Sequence, residues 1–203
     1  MVTSKELGDE VGALLAGDGF RKRAGTIFTV ELADDVLGWL GLNEATQHTR
    51  TGEIEVNPVL GLRHQSIERT VARLRDDKFH AYKPATVAIP LGHLMPENTF
   101  RVWLFRAEDL AATAQDLVEN VREHGLPFLR RHATLAAITR QLESGPAEGT
   151  MPEYRLPVAY LLAGEHDRAM TALTGELDSL GDRQDAAADY YRRFAERFRE
   201  AAA

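Results

Sequence analysis

Imidazole and carboxylate are the side chains here best suited to hold a metal or move a proton: the sequence has seven histidines, thirty-one aspartates and glutamates, and no cysteine. Disulfides and thiolate metal sites are therefore excluded. His64 and Glu68 stand four apart in a segment of helical periodicity, a spacing that places two metal ligands on one face. A solvated helix pair is the far commoner fate of such residues. Glu165-His166-Asp167 is the other local cluster, and it falls where a helix N-cap belongs, so capping accounts for Asp167. Nucleophilic chemistry has less support, since no Gly-x-Ser-x-Gly elbow occurs. Gly17-Asp18-Gly19 follows a helix and precedes a strand, the wrong order for a phosphate-cradling turn. The acid pairs Asp34-Asp35 and Asp76-Asp77 lie at element ends, where solvated turns are the default. No catalytic residue, metal or cofactor is assigned on this basis. An active site assembled from distant residues stays open, with a pocket between the sheet and the helix over 116–125 as its place.

Two features stand out as binding surfaces. Arg21-Lys22-Arg23 is a basic run at the entrance to a predicted sheet, able to meet an acidic partner or ligand. Trp39 and Trp103 combine large area with one donor, the combination favoured at interfaces, although core packing is the more frequent use of such a residue. Arginine also clusters at Arg63, Arg69, Arg73 and Arg75 and at Arg130-Arg131. The formal net charge of −7 nonetheless argues against nucleic acid as the partner, because phosphate binding needs a basic face. No apolar run approaches the roughly 18 residues of a membrane span, and the first residues lack the layout of a signal peptide. A cytoplasmic protein is expected.

The elements that must position these residues read as α+β. Thr3 and Glu6 form a capping box, followed by Leu7, Val11, Leu14 and Leu15 on one helical face. Phe28, Val30 and Leu32 then alternate as in a half-buried strand. Ala33-Asp34-Asp35 turns the chain into Val36 to Leu42, apolar enough to be buried on both faces. Glu53 to Leu62 is a third extended segment, and Asn57-Pro58 demands a bulge or an edge position there because proline donates no amide hydrogen. His64 to Asp77 is helical through Ile67, Val71 and Leu74. Thr86 to Leu94 and Phe100 to Arg106 complete a largely antiparallel sheet of about five strands.

Beyond Ala107 only helices are predicted. Leu110, Ala114, Leu117, Val118 and Val121 form a stripe that Gly125 ends, and Pro127 opens a helix carrying Phe128, Leu135, Ile138 and Leu142. An α+β domain over 1–143 is thus expected, then a linker over 144–152 with two glycines and two prolines, then a helical extension over 153–203 packed on the domain. Within that extension, Tyr154 to Ala163 and Arg168 to Leu180 flank a turn at Gly164, a hairpin resembling one tetratricopeptide unit. A last amphipathic helix carries Ala187, Tyr191, Phe194 and Phe198. It offers a face for packing at home or for self-association as a homo-oligomer.

Gly19-Phe20-Arg21-Lys22-Arg23, Phe28, Val36-Leu37-Gly38-Trp39-Leu40 and Asn57-Pro58-Val59-Leu60-Gly61 follow one another in an order similar to that of a family of bacterial α+β proteins of unassigned function. Gly125-Leu126-Pro127-Phe128 also resembles a helix start common in that group. The likeness covers about half the chain and its motifs are structural. What the resemblance implies is a small, non-enzymatic interaction protein of the immunity type, which holds a bacterial toxin or another protein partner inactive. The acidic charge suits a basic partner of that kind. A small-ligand-binding protein or an enzyme is the competing expectation.

Overall fold

The computed structural model describes residues 2–45, 52–145 and 151–202 of the chain. Its strands are β1 (Arg21–Ala24), β2 (Ile27–Ala33), β3 (Val36–Glu44), β4 (Ile54–His64), β5 (Val87–Pro90) and β6 (Trp103–Phe105). Its helices are α1 (Ser4–Leu15), α2 (Gln65–Arg75), α3 (Leu110–Asn120) and α4 (Leu126–His132), then α5 (Leu135–Glu143), α6 (Pro152–Leu162), α7 (His166–Leu180) and α8 (Ala186–Ala202). The fold is α+β, an N-terminal sheet with helices followed by a helical C-terminal part. Two compact units form: Met1–Arg63 with Ala88–Ala133, and His64–Val87 with Thr134–Ala203. This is not the expected division at 144–152, because α2 packs with α6 and α8, and α5 with α6. Of the expected linker, 146–150 lies outside the described residues.

In the first unit the strands run in the order β1-β2-β3-β4-β5, with β6 also paired to β4. Pairing of β1 with β2, β2 with β3, and β4 with β6 is antiparallel. The hairpin between β2 and β3 is the predicted one, and Asp35 takes the left-handed conformation its turn requires (φ 67°). Strand β1 was not expected: all four of its residues are exposed, so no apolar alternation betrays it. Strand β4 lies inside the sheet, not at its edge. It pairs with β6 at Ile54↔Phe105, Glu55↔Leu104 and Val56↔Trp103, which places Pro58 beyond the last of these pairs. The last two strands are shorter than predicted, and a 3-10 turn, Leu91–His93, follows β5 directly.

One face of this sheet is the core. Phe28 and Leu40 are fully buried and paired across β2 and β3, and Gly12 of α1 comes so near Phe28 that a Cβ would lie 3.2 Å from its ring. Thr3 caps α1 with the predicted box, its hydroxyl accepting from the Glu6 amide while Glu6 accepts from the Thr3 amide. That fixes the phase which buries Leu7, Val11 and Leu15. Helix α3 packs beside α1 through Ala114, Leu117 and Val118, all fully buried. Gly125 does not stop it. The chain continues through a π-helical turn, Val121–Gly125, into α4, because the glycine serves close approach: a Cβ there would sit 2.9 Å from Leu60 Cδ1.

The single helix expected from Pro127 to Leu142 is two. Ala133 leaves helical geometry and the Thr134 hydroxyl caps α5 by accepting from the Ala137 amide. In the second unit α6 and α7 form the predicted hairpin about Gly164 (φ 77°). The N-cap of α7 is Glu165, which makes no capping bond through its side chain, so Asp167 sits in the first turn and not at the cap. Helix α8 buries Tyr191, Phe194 and Phe198. Tyr154 meets Phe194 edge-on at 4.9 Å and Tyr191 at 5.2 Å. The Arg197 guanidinium donates to the Leu74 carbonyl and the Tyr190 hydroxyl to that of Arg75, satisfying the C-terminal end of α2. Among the described residues no helix is long and apolar enough to cross a membrane.

Candidate functional site: the outer face of the sheet

Directly paired residues of antiparallel strands project to the same face. The pairs Arg21↔Thr29 and Thr29↔Trp39 therefore set Arg21, Thr29 and Trp39 in one row across β1, β2 and β3, on the face opposite Phe28 and Leu40. Period-two alternation adds Ile27, Glu31 and Leu37 to this outer face, and Arg23, at a break in the register of β1, joins it through its bond to Thr29. Leu60 and Val56 belong to the inner face, through the approach of Gly125 to Leu60 and the pairing of Val56 with Trp103, so Asn57, Val59 and Leu104 turn outward.

The burial pattern agrees. Ile27, Leu37, Trp39, Val59 and Leu104 are each half-buried, whereas their strand neighbours Phe28, Leu40, Leu60 and Phe105 are fully enclosed. The outer face thus exposes an apolar row with Trp39 near its centre. The Trp39 ring lies over Gly41, where a Cβ would overlap its Cη2 atom. Its Nε1 is buried and finds no hydrogen-bond partner among the described residues, and the same holds for Oδ1 of Asn57 on the same face.

At its β1 border the face meets a groove of about 330 Å³, lined among others by Arg21, Arg23, Thr29 and Glu31, together with Asp18, Val30, Leu32 and, from α4, Leu126 and Arg130. Arg23 Nε donates to Thr29 Oγ1 at 2.8 Å, which explains how a threonine on the outer face is only 1% exposed. Arg21 and Glu31 approach only to 3.8 Å, with both side chains about 70% exposed (69% and 72%). Asp18 is committed to Arg122, whose Nε donates to it at 2.8 Å and whose Nη2 donates to the Leu14 carbonyl.

Of the five residues singled out from sequence, the structure brings three together: Arg21, Arg23 and Trp39. Lys22 pairs with Phe28, turns to the inner side and bonds Asp9 of α1 at 2.8 Å. Trp103 is a core residue, 3% exposed, with its indole donating to Asp116 Oδ2 at 2.6 Å. The interface expected to hold an enzyme's pocket, between the sheet and 116–125, is filled by Leu117, Val118, Val121 and the Gly125–Leu60 contact. Leu37, Val59 and Leu104 were missed because an apolar run reads as buried on both faces until strand neighbours are known. Gly41, two residues on from Trp39, was the local signal of close packing beneath one large ring.

His64 and Glu68 are not the solvated pair expected. Glu68 is 6% exposed and accepts from Arg155 Nε at 2.6 Å, Arg155 Nη2 at 3.0 Å and the Thr86 hydroxyl at 2.8 Å, while Thr86 accepts from the His64 amide. Its carboxylate is engaged in holding α2, α6 and the chain at 86 together and is not presented to a metal. No protein-family model, curated protein or solved structure matches this chain.

Proposed function

We propose that this protein is a non-enzymatic interaction module, an immunity or regulatory protein that sequesters a bacterial protein partner through the outer face of its sheet. The observation that carries this is the half-exposed apolar row Ile27, Leu37, Trp39, Val59 and Leu104 on one face of a sheet whose other face is fully packed. Apolar side chains on a sheet face are stabilised by covering, and each fully covered large side chain contributes roughly 1.5–3 kcal/mol. Five strands about 4.8 Å apart, averaging some 20 Å in length, present roughly 500 Å² in projection. That is the order of the ~800 Å² one partner buries in a standard interface. Trp39, central to the row, has the make-up of a hot-spot residue.

The test is affinity capture of the full chain from its native extract, run beside Trp39→Ser and Leu37→Ser variants whose folding is verified by circular dichroism. A protein retained in equal stoichiometry by the wild type and lost from both variants supports sequestration through this face. Retention by the variants as strong as by the wild type would place the interface elsewhere. Recovery of the chain alone would overturn the interaction reading.

A further inference from the structure

We infer that the groove between β1, β2 and α4 receives carboxylates of an extended acidic segment of the partner protein. This rests on the interaction reading above and adds the chemistry of what is bound. Three guanidinium groups, Arg21, Arg23 and Arg130, line one groove of about 330 Å³. Its two carboxylates do not balance them: Asp18 is already paired with Arg122, and Glu31 is held from Arg21 by 3.8 Å in solvent, a contact of the kind worth little. Arg23 spends only its Nε, on Thr29, and its two terminal nitrogens make no hydrogen bond among the described residues. Arg130 is exposed and makes no ion pair or hydrogen bond among them. Guanidinium forks so left are matched by carboxylate or phosphate oxygens.

Spacing favours the extended chain over a single small anion. Arg21 and Arg23 both stand on the Thr29 side of β1, Arg21 through its pairing with Thr29 and Arg23, at the break in the strand's register, through its bond to Thr29 Oγ1. An extended segment repeats its own same-side residues about every 6.6 Å, so acids at alternate positions reach both arginines at once. Lys22, turned inward to Asp9, does not compete. The chain's net charge of −7 opposes an acidic partner at long range, but beyond about 8–10 Å that field is screened by salt while the groove acts at contact.

The test is NMR of the arginine Nε–Hε groups of the full chain, titrated with an acetylated Thr-Glu-Thr-Glu-Thr-Glu peptide, its Gln counterpart, and inorganic phosphate. The expected result is saturable shifts at Arg21, Arg23 and Arg130 with the Glu peptide, at least about tenfold tighter than with phosphate or the Gln peptide, and weakened about tenfold in Arg23→Gln and Arg130→Gln. Shifts that do not saturate, or phosphate binding as tightly as the Glu peptide, would overturn the acidic segment. The same Gln variants in the capture experiment separate the two claims. A partner lost with Trp39→Ser yet held undiminished by Arg23→Gln and Arg130→Gln leaves the interaction module standing and removes the acidic segment. Loss of the partner in all of them supports both.

Discussion

Arg155 and Glu68 form a two-pronged ion pair at 2.6 and 3.0 Å with both side chains almost wholly out of solvent, 2% and 6% exposed. A buried pair of this kind adds little over an apolar replacement, yet removing one partner strands a charge. Glu68→Gln is therefore expected to destabilise the fold by about 3–5 kcal/mol. The double replacement Glu68→Leu with Arg155→Met should recover most of that loss. Urea denaturation of the three proteins checks the order.

Gly125 packs against fully buried Leu60, where a Cβ would fall 2.9 Å from Cδ1 and 3.0 Å from Cδ2. Gly125→Ala is expected to cost about 1–3 kcal/mol by overpacking. Combined with Leu60→Ala it should cost less than the sum of the single changes, because the space vacated by one takes up the methyl of the other. A thermal-unfolding double-mutant cycle reads this coupling.

Gly41 lies beneath the Trp39 ring. Gly41→Ala should lift that ring from the sheet while leaving the inner face untouched. The Trp39 indole resonance is expected to move and that of Trp103, anchored on Asp116, to stay. Partner retention should fall with the ring's displacement, at a stability cost of no more than about 1–3 kcal/mol.

Asp9 accepts from Lys22 and Lys5, and those hydrogen bonds hold its carboxyl down at about 2, against an ordinary 3.8. A folded-state value below the unfolded one means that the tie from α1 to β1 is fully present above pH 3.8 and is lost as the pH falls through about 2. Carboxyl ¹³C titration should place the Asp9 midpoint near 2, and Asp9→Asn should abolish the matching acid step in the Lys22 amide shift.

Tyr191 is buried beneath α6 and its neighbours on α8, and that burial raises its phenol well above the ordinary 10.0. A raised value contributes stability that is complete below pH 10.0 and declines as the pH rises beyond it. Absorbance titration should show Tyr191 ionising only with alkaline unfolding, while Tyr191→Phe should unfold at a higher pH than the wild type.

What the sequence made legible were features whose cause is local. The capping box at Thr3 and Glu6, the α1 phase and the turn at Asp35 each depend on residues within a few positions. Strand β1 was hidden because Arg-Lys-Arg-Ala has no apolar member to alternate. The burial of Glu68 was hidden because its partner stands 87 residues away. The two tryptophans could not be told apart in advance, since which side of a strand is inward depends on its register with neighbours. Trp39 pairs with Thr29 and faces out, whereas Trp103 pairs with Val56 and faces in. For the same reason Arg130 could be noticed as basic but not placed in a groove with β1.

Strand β1 ends the sheet with four exposed residues and a break in register between Lys22 and Ala24. An unpaired strand edge is ordinarily a template for polymerisation. Here a second copy laid along it would bring Arg21 and Arg23 against the same two cations, and the irregularity would end the match after a few residues. The border of the sheet thus disfavours pairing with its own copy twice over, by like charge and by broken register, both set by the same short segment.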